Sequence, residues 1–205
     1  MIQAEIVGDS GLVKAIEPTE SSFLRLKKNC GLNEFENIDF INKAVGSESE
    51  TVQIKERASP NLNRVTDSKD SGNGSVEQEP LDDIIDFDPD AVRMDVQGYE
   101  TEILKGMEEV LQTDNLMLFI EVHPSKIRGY YDDDITEFWE ILSRNDFKVK
   151  YLVRHPPKPR PTYFFRKAYP PKKVLKPEMG VEETLEKHQD FFDWETAFRV
   201  FLEKK

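Results

Sequence analysis

The sequence predicts an α/β fold with a doubly wound, mostly parallel sheet, on three observations. Short apolar runs alternate with amphipathic helical stretches along most of the chain, the pattern of strands joined by helical crossovers. The run LMLFIEV at 116–122 is continuously apolar up to its end, which suits a strand buried on both faces. AVRM at 91–94 is followed by Asp95, a turn at Gly98, and apolar residues Ile103, Leu104, Met107, Val110 and Leu111 at helical spacing. Ligands of such sheets sit beyond the carboxyl ends of the strands, where Asp95 falls.

In order, 2–7 reads as the end of a helix closed by Gly8, and 12–16 as a strand ended by Glu17 and Pro18. A helix with Thr19 as N-cap covers 19–29, with Phe23, Leu24 and Leu26 on its buried side. The next strand is 38–45, and Val52 and Ile54 mark a further extended piece. The polar stretch 57–80, with its Asn73-Gly74 turn signal, reads as a long loop. A short helical turn at 81–87 precedes the strand at 91. After 116–122 comes a loop with Pro124 and Gly129, then a helix over 132–144 with Ile135, Phe138, Trp139 and Leu142 on one face. Strands at 148–153 and 163–165, linked by PPKPRP, predict a terminal hairpin. From Val181, residues Leu185, Phe191, Trp194, Phe198 and Phe201 predict an extra C-terminal helix. The domains implied are 1–168, and a linker with a helical extension at 169–205.

The 205 residues carry a net charge of −12, which argues against binding nucleic acid through its phosphates. The single cysteine, Cys30, excludes an internal disulfide and a cysteine-rich zinc site; in a helix it reads as a small buried hydrophobe. No metal-ligand spacing stands out. No apolar run is long enough to span a membrane, and the N-terminal stretch lacks signal-peptide character, so a cytoplasmic location is expected.

Two constellations could carry chemistry. Glu17, at the end of a strand, can accept hydrogen bonds from the two hydroxyls of a ribose, or can be an ordinary strand-terminal carboxylate. Glu121 and His123 close the LMLFIEV strand and, two residues apart, share a face. If that strand neighbours the one at 91–94, then Asp95, Glu121 and His123 converge, with the imidazole and Asp95 within side-chain reach. His is the side chain best suited to take a proton near neutral pH. The basic stretch 154–176 could hold an anion or could be a solvated, proline-stiffened loop.

Three motifs in sequence, VKAIEPTESSFLRLKKNCGLNEFENIDFINKAVG, LDDIIDFDPDAVRMDVQGYETEILKGMEEVL and LFIEVHP, resemble the FkbM-like methyltransferases. The likeness implies a class I, Rossmann-like fold and transfer of a methyl group from S-adenosylmethionine, with a sugar or small natural-product hydroxyl as acceptor. By the same likeness, Glu17 with Pro18 binds the cofactor ribose, and Asn42 and Ala44 lie near the adenine. Asp95, Glu100, Glu121 and His123 take the acceptor side. Gln97 stands where the family motif has Glu. The family's first strand and glycine-rich loop have no counterpart in this sequence, which reads as truncated at its N-terminus. Two expectations follow: S-adenosylmethionine binds weakly or not at all, and the strands at 13–16 and 92–95 pair directly or, second, take a strand from another chain between them in a homo-oligomer, with a vacant slot ranked last. The alternatives are an inactive binding module on the same fold and a nicotinamide-dependent oxidoreductase.

Overall fold

The computed structural model describes residues 2–56, 63–66, 72–131, 135–154, 173–192 and 196–204, in two units, Met1–Asp86 and Phe87–Lys205. In the first, helix α1 (Ile2–Val7) ends where Gly8 takes a positive φ of 69°, the usual left-handed helix stop. The Asn37 amide nitrogen donates to Ala4 O at 2.9 Å and Gly8 O at 2.8 Å, satisfying carbonyls that the helix end leaves open. Strand β1 (Val13–Ile16) pairs in parallel with β2 (Ile38–Ile41), and helix α2 (Glu20–Gly31) makes the crossover. Ala4, Cys30 and Ile38 form the buried centre, with Val13, Ala15, Leu26, Phe35 and Phe40 packed against it.

The stretch 57–80 is not simply a loop. Among its described residues are β5 (Arg64–Thr66) and β6 (Gly74–Glu79), which join β3 (Ala44–Val45) and β4 (Glu50–Lys55) in a four-stranded sheet of order β3-β6-β4-β5. Polar composition concealed the strands, because β6 turns Gln78 inward, where it is 1% exposed and its amide donates to Glu48 O at 3.1 Å. Gly46 is needed beside it: a Cβ there would lie 2.3 Å from the Gln78 side chain. Helix α3 (Leu81–Ile84) completes this unit.

The second unit is built on β7 (Ala91–Met94), helix α4 (Glu100–Lys105), β8 (Met117–Val122), helices α5 (Pro124–Tyr131) and α6 (Ile135–Arg144), and β9 (Phe147–Arg154). There follow β10 (Lys173–Leu175), β11 (Met179–Gly180), helix α7 (Val181–Lys187) and β12 (Phe198–Lys204). The sheet order is β10-β9-β12-β8-β7, with β11 also on β9. Strands β7 and β8 are parallel, and the other pairs of this sheet are antiparallel. The α/β class holds, in mixed rather than mostly parallel sheets. Strand β1 has β2 as its partner and β7 has β8, so the expected direct β1–β7 ladder is not formed among the described residues.

Three other expectations are corrected. The helix opened by Glu100 stops at Gly106 and gives way to a separate turn of 3-10 helix at Val110–Gln112. The segment after His123 is helix α5 rather than loop, with Pro124 at its first position, where the missing N–H costs nothing. The C-terminal helix ends at Lys187, and 198–204 is instead a strand between β8 and β9. Here Phe198, Val200 and Leu202 alternate inward and Trp139 of α6 stacks on the Phe198 ring. The expected strand at 163–165, and with it the hairpin, lies outside the described residues. No described helix is long and apolar enough to cross a membrane.

Lys105 ties α4 to α6, donating to Glu102 at 2.8 Å and to Glu137 at 2.9 Å. Partial burial opposes its charge, but the two carboxylates outweigh that and hold the ammonium above its ordinary range. Because the folded-state value is the raised one, this stabilisation is complete below the unfolded lysine value and declines as pH climbs above about 10.4. Lys105→Met is therefore expected to lower stability by about 1 kcal/mol at neutral pH. In urea titrations the difference from the parent should shrink as the pH is made strongly alkaline; a difference that grows there would contradict the assignment.

Candidate active site

The second unit brings three acidic or basic groups to the carboxyl ends of its two parallel strands. Asp95 follows β7 and His123 follows β8, and those strands are direct neighbours. The His123 carbonyl accepts the N–H groups of Lys126 at 2.9 Å and Ile127 at 3.0 Å, so this residue also caps α5. Its ring is thereby fixed at the root, with 7% of the residue exposed.

Glu100 lies beneath the ring, fully buried. Its Oε1 accepts the Gly98 N–H at 3.1 Å and stands 2.8 Å from His123 Nδ1. Its Oε2 has no partner among the described residues. A carboxylate out of water depends on whatever donors it has, so the imidazole N–H is its principal support. A carboxylate can only accept, which puts the ring proton on Nδ1 and the lone pair on Nε2. That Nε2 is 3.9 Å from Asp95 Oδ1, on the more exposed side of the cluster.

The β7–α4 turn shapes the cluster. Gln97 and Gly98 both have positive φ, 62° and 110°. A glutamine in that region costs about 1–2 kcal/mol, and such strain gathers at functional sites. The Gln97 amide nitrogen donates to Asp95 Oδ1 at 2.9 Å and lies 3.4 Å from His123 Nε2, while its oxygen accepts from Lys126 Nζ. Gly98 is required on two counts: its φ, and a would-be Cβ only 2.8 Å from Lys126 Cβ and 3.0 Å from the Lys126 carbonyl carbon. Gly98→Ala should lower unfolding free energy by about 1–3 kcal/mol; denaturant curves superimposing on the parent's would show that the turn is not under this constraint.

The other anticipated residues are placed differently. Glu121 is held across the β8–β12 ladder, where Arg199 Nε donates to its Oε2 at 2.8 Å. In the first unit, Glu17 ends β1, and its Oε1 accepts the Thr19 N–H at 2.9 Å, which fixes the carboxylate at the strand end. The Asn42 amide nitrogen donates to the carbonyls of Glu17 at 2.8 Å and Pro18 at 3.1 Å, so it binds the ends of β1 and β2 together. Ala44 is buried in β3. Gln97 entered the sequence reading only as a departure from a motif, and Lys126 not at all. The signal for Lys126 was its place three residues after His123, in the first turn of a helix that Pro124 announces.

A His with a buried carboxylate behind it, at the end of a parallel strand of an α/β protein, is chemically able to take up a proton. Residues 2–149 match the Methyltransferase FkbM domain; the chain belongs to that family. It is similar in fold to a crystal structure of methyltransferase FkbM from Methylobacillus flagellatus KT, with a TM-score of 0.50 and 19% identity, over 93% of this chain and 36% of that one. A second similar structure, from a protein of Clostridium thermocellum designated an rRNA-methylase, has a TM-score of 0.47 and 12% identity, over 98% of this chain and 76% of that one. The chain thus spans little more than a third of the length of the first. No curated protein matches it.

Proposed function

We propose that this protein transfers a methyl group from S-adenosylmethionine to a hydroxyl oxygen of a sugar or small natural product. The observation that carries this reading is the buried Glu100–His123 pair with its second imidazole nitrogen turned toward Asp95 and the Gln97 amide. A hydroxyl oxygen is a poor nucleophile until its proton is removed, and an imidazole of fixed tautomer is the group to remove it. In this reading, Nε2 takes the proton and Glu100 supports the resulting imidazolium from below. Asp95 supports it from the side and orients the hydroxyl.

When bound, the cofactor supplies a methyl group on a positively charged sulfur. The first unit has a residue suited to holding it: Glu17 keeps one carboxylate oxygen on the Thr19 N–H, and the other has no partner among the described residues. Such a carboxylate matches ribose hydroxyls. Asn42 holds that turn in shape through the Glu17 and Pro18 carbonyls, and Ala44, two residues after Asn42, is a small buried residue. Holding the acceptor oxygen in line supplies most of the remaining rate.

The test is formation of S-adenosylhomocysteine by the purified chain at saturating cofactor, with a panel of sugars and hydroxylated small molecules and their deoxy analogues. The reading expects turnover with one hydroxyl acceptor and none with its deoxy form. Turnover indifferent to the hydroxyl, or none with any acceptor, would overturn it.

A further inference from the structure

The Gln97 amide is held by charge at both ends. Lys126 Nζ donates to its oxygen, and its nitrogen donates to Asp95 Oδ1 at 2.9 Å. Turned over, the amide would set N–H groups against an ammonium and a carbonyl against a carboxylate, and both contacts would be repulsive. The edge that Gln97 presents to His123 Nε2, 3.4 Å away, is therefore an N–H edge. Glu100 presents an acceptor to the opposite ring nitrogen at 2.8 Å. One ring form answers both neighbours, with hydrogen on Nδ1 and a lone pair on Nε2.

We propose that Lys126 is a positioning residue, which by holding the Gln97 oxygen keeps an N–H edge against His123 Nε2 and so keeps that nitrogen's lone pair ready for the acceptor's proton. This rests on the reading of His123 as the proton acceptor. Lys126 works through the Gln97 side chain, whose backbone is itself held at φ 62°. A proton that arrives on Nε2 meets the amide N–H and turns to Asp95 Oδ1, 3.9 Å off, so the charged ring is shared between Glu100 and Asp95. The charged groups facing the ring are Glu100 from α4, Asp95 from the β7–α4 turn, and Lys126 from α5 by way of Gln97.

The experiment is an NMR titration of protein carrying 15N-labelled histidine, with the His123 signals identified by their loss in His123→Asn. In Lys126→Met the amide is free to turn its oxygen to Nε2, and a nearby cation is gone. The His123 midpoint should rise, on the order of one pH unit. Lys126→Arg keeps the donor and the charge and should stay with the parent. The decisive comparison repeats Lys126→Met in a Gln97→Leu background, where removal of the charge still acts but the relay does not. A clearly smaller rise there supports the proposal; equal rises in the two backgrounds, or none in either, overturn it. Should Lys126→Met not fold, Lys126→Leu, which also lacks a donor and a charge, gives the same reading. The titration needs no turnover: its expected pattern in a protein that methylates nothing would leave the relay standing and overturn the proposed function.

Discussion

His123→Ala is expected to lower methyl-transfer turnover by about 10²–10⁴-fold, the range for loss of a positioned general base. Cofactor affinity should stay close to the parent's, because the proposed function gives the ring to the acceptor and not to the cofactor. The variant should remain folded, although the Nδ1–H support of the buried Glu100 is lost and leaves that carboxylate dependent on the Gly98 N–H. Glu100→Gln tests the same unit from beneath. It preserves the volume but can turn an N–H toward Nδ1, which favours the other tautomer and takes the lone pair off Nε2. Turnover should fall there too, with stability less affected than by Glu100→Ala. Single-turnover rates at saturating cofactor, together with cofactor titrations, separate these effects. Parallel loss of rate and cofactor binding in His123→Ala would show the residue to be structural.

The second large effect concerns β12. Val200 is fully buried at the centre of that strand, opposite Ile120 on one side and Leu152 on the other. Val200→Asp would set a carboxylate among apolar neighbours with no partner. Such a change is expected to cost more than about 4 kcal/mol, a large part of a typical domain's stability. Removal of 198–204 should be more severe, because it exposes one edge of β8 and one of β9 together. Both proteins should be insoluble or should lack a cooperative unfolding transition. A soluble form truncated before Phe198 that unfolds cooperatively at the parent's denaturant midpoint would mean that β12 is dispensable to the sheet.

That strand also shows where sequence reading fails. Phe191, Trp194, Phe198 and Phe201 fall at helical spacing, yet Phe198, Val200 and Leu202 alternate at the spacing of a strand. Both periods were present in the same few residues, and the long-range partners on β8 and β9 decided between them. Strand β6 fails for the opposite reason: its inward residue is Gln78, whose burial is supported by acceptors for its amide, Glu48 O among them. No hydrophobic pattern marks such a position. The β7–turn–α4 segment was legible because each local signal agreed, from the apolar AVRM to Gly98 and the residues that follow. The site was legible in part. Asp95 and His123 stand beyond the ends of β7 and β8, which pair as neighbours, whereas Glu100 opens α4 and is pointed to only by the family resemblance. Glu121 pairs with Arg199 across the β8–β12 ladder, and the helical spacing of the aromatic residues at 191–201 hides that neighbouring strand from the sequence.

The central claim is that the Glu100–His123 pair prepares a hydroxyl for methylation, and the most direct test follows the methyl group. The chain and its His123→Ala variant are supplied with methyl-labelled S-adenosylmethionine and the acceptor found in the panel assay, and the label is located in the product by mass spectrometric fragmentation. The account predicts label on a hydroxyl oxygen, matched one to one by S-adenosylhomocysteine, formed by the parent and nearly lost in the variant. Label on nitrogen or carbon, or label on oxygen at the same rate in both proteins, would contradict it.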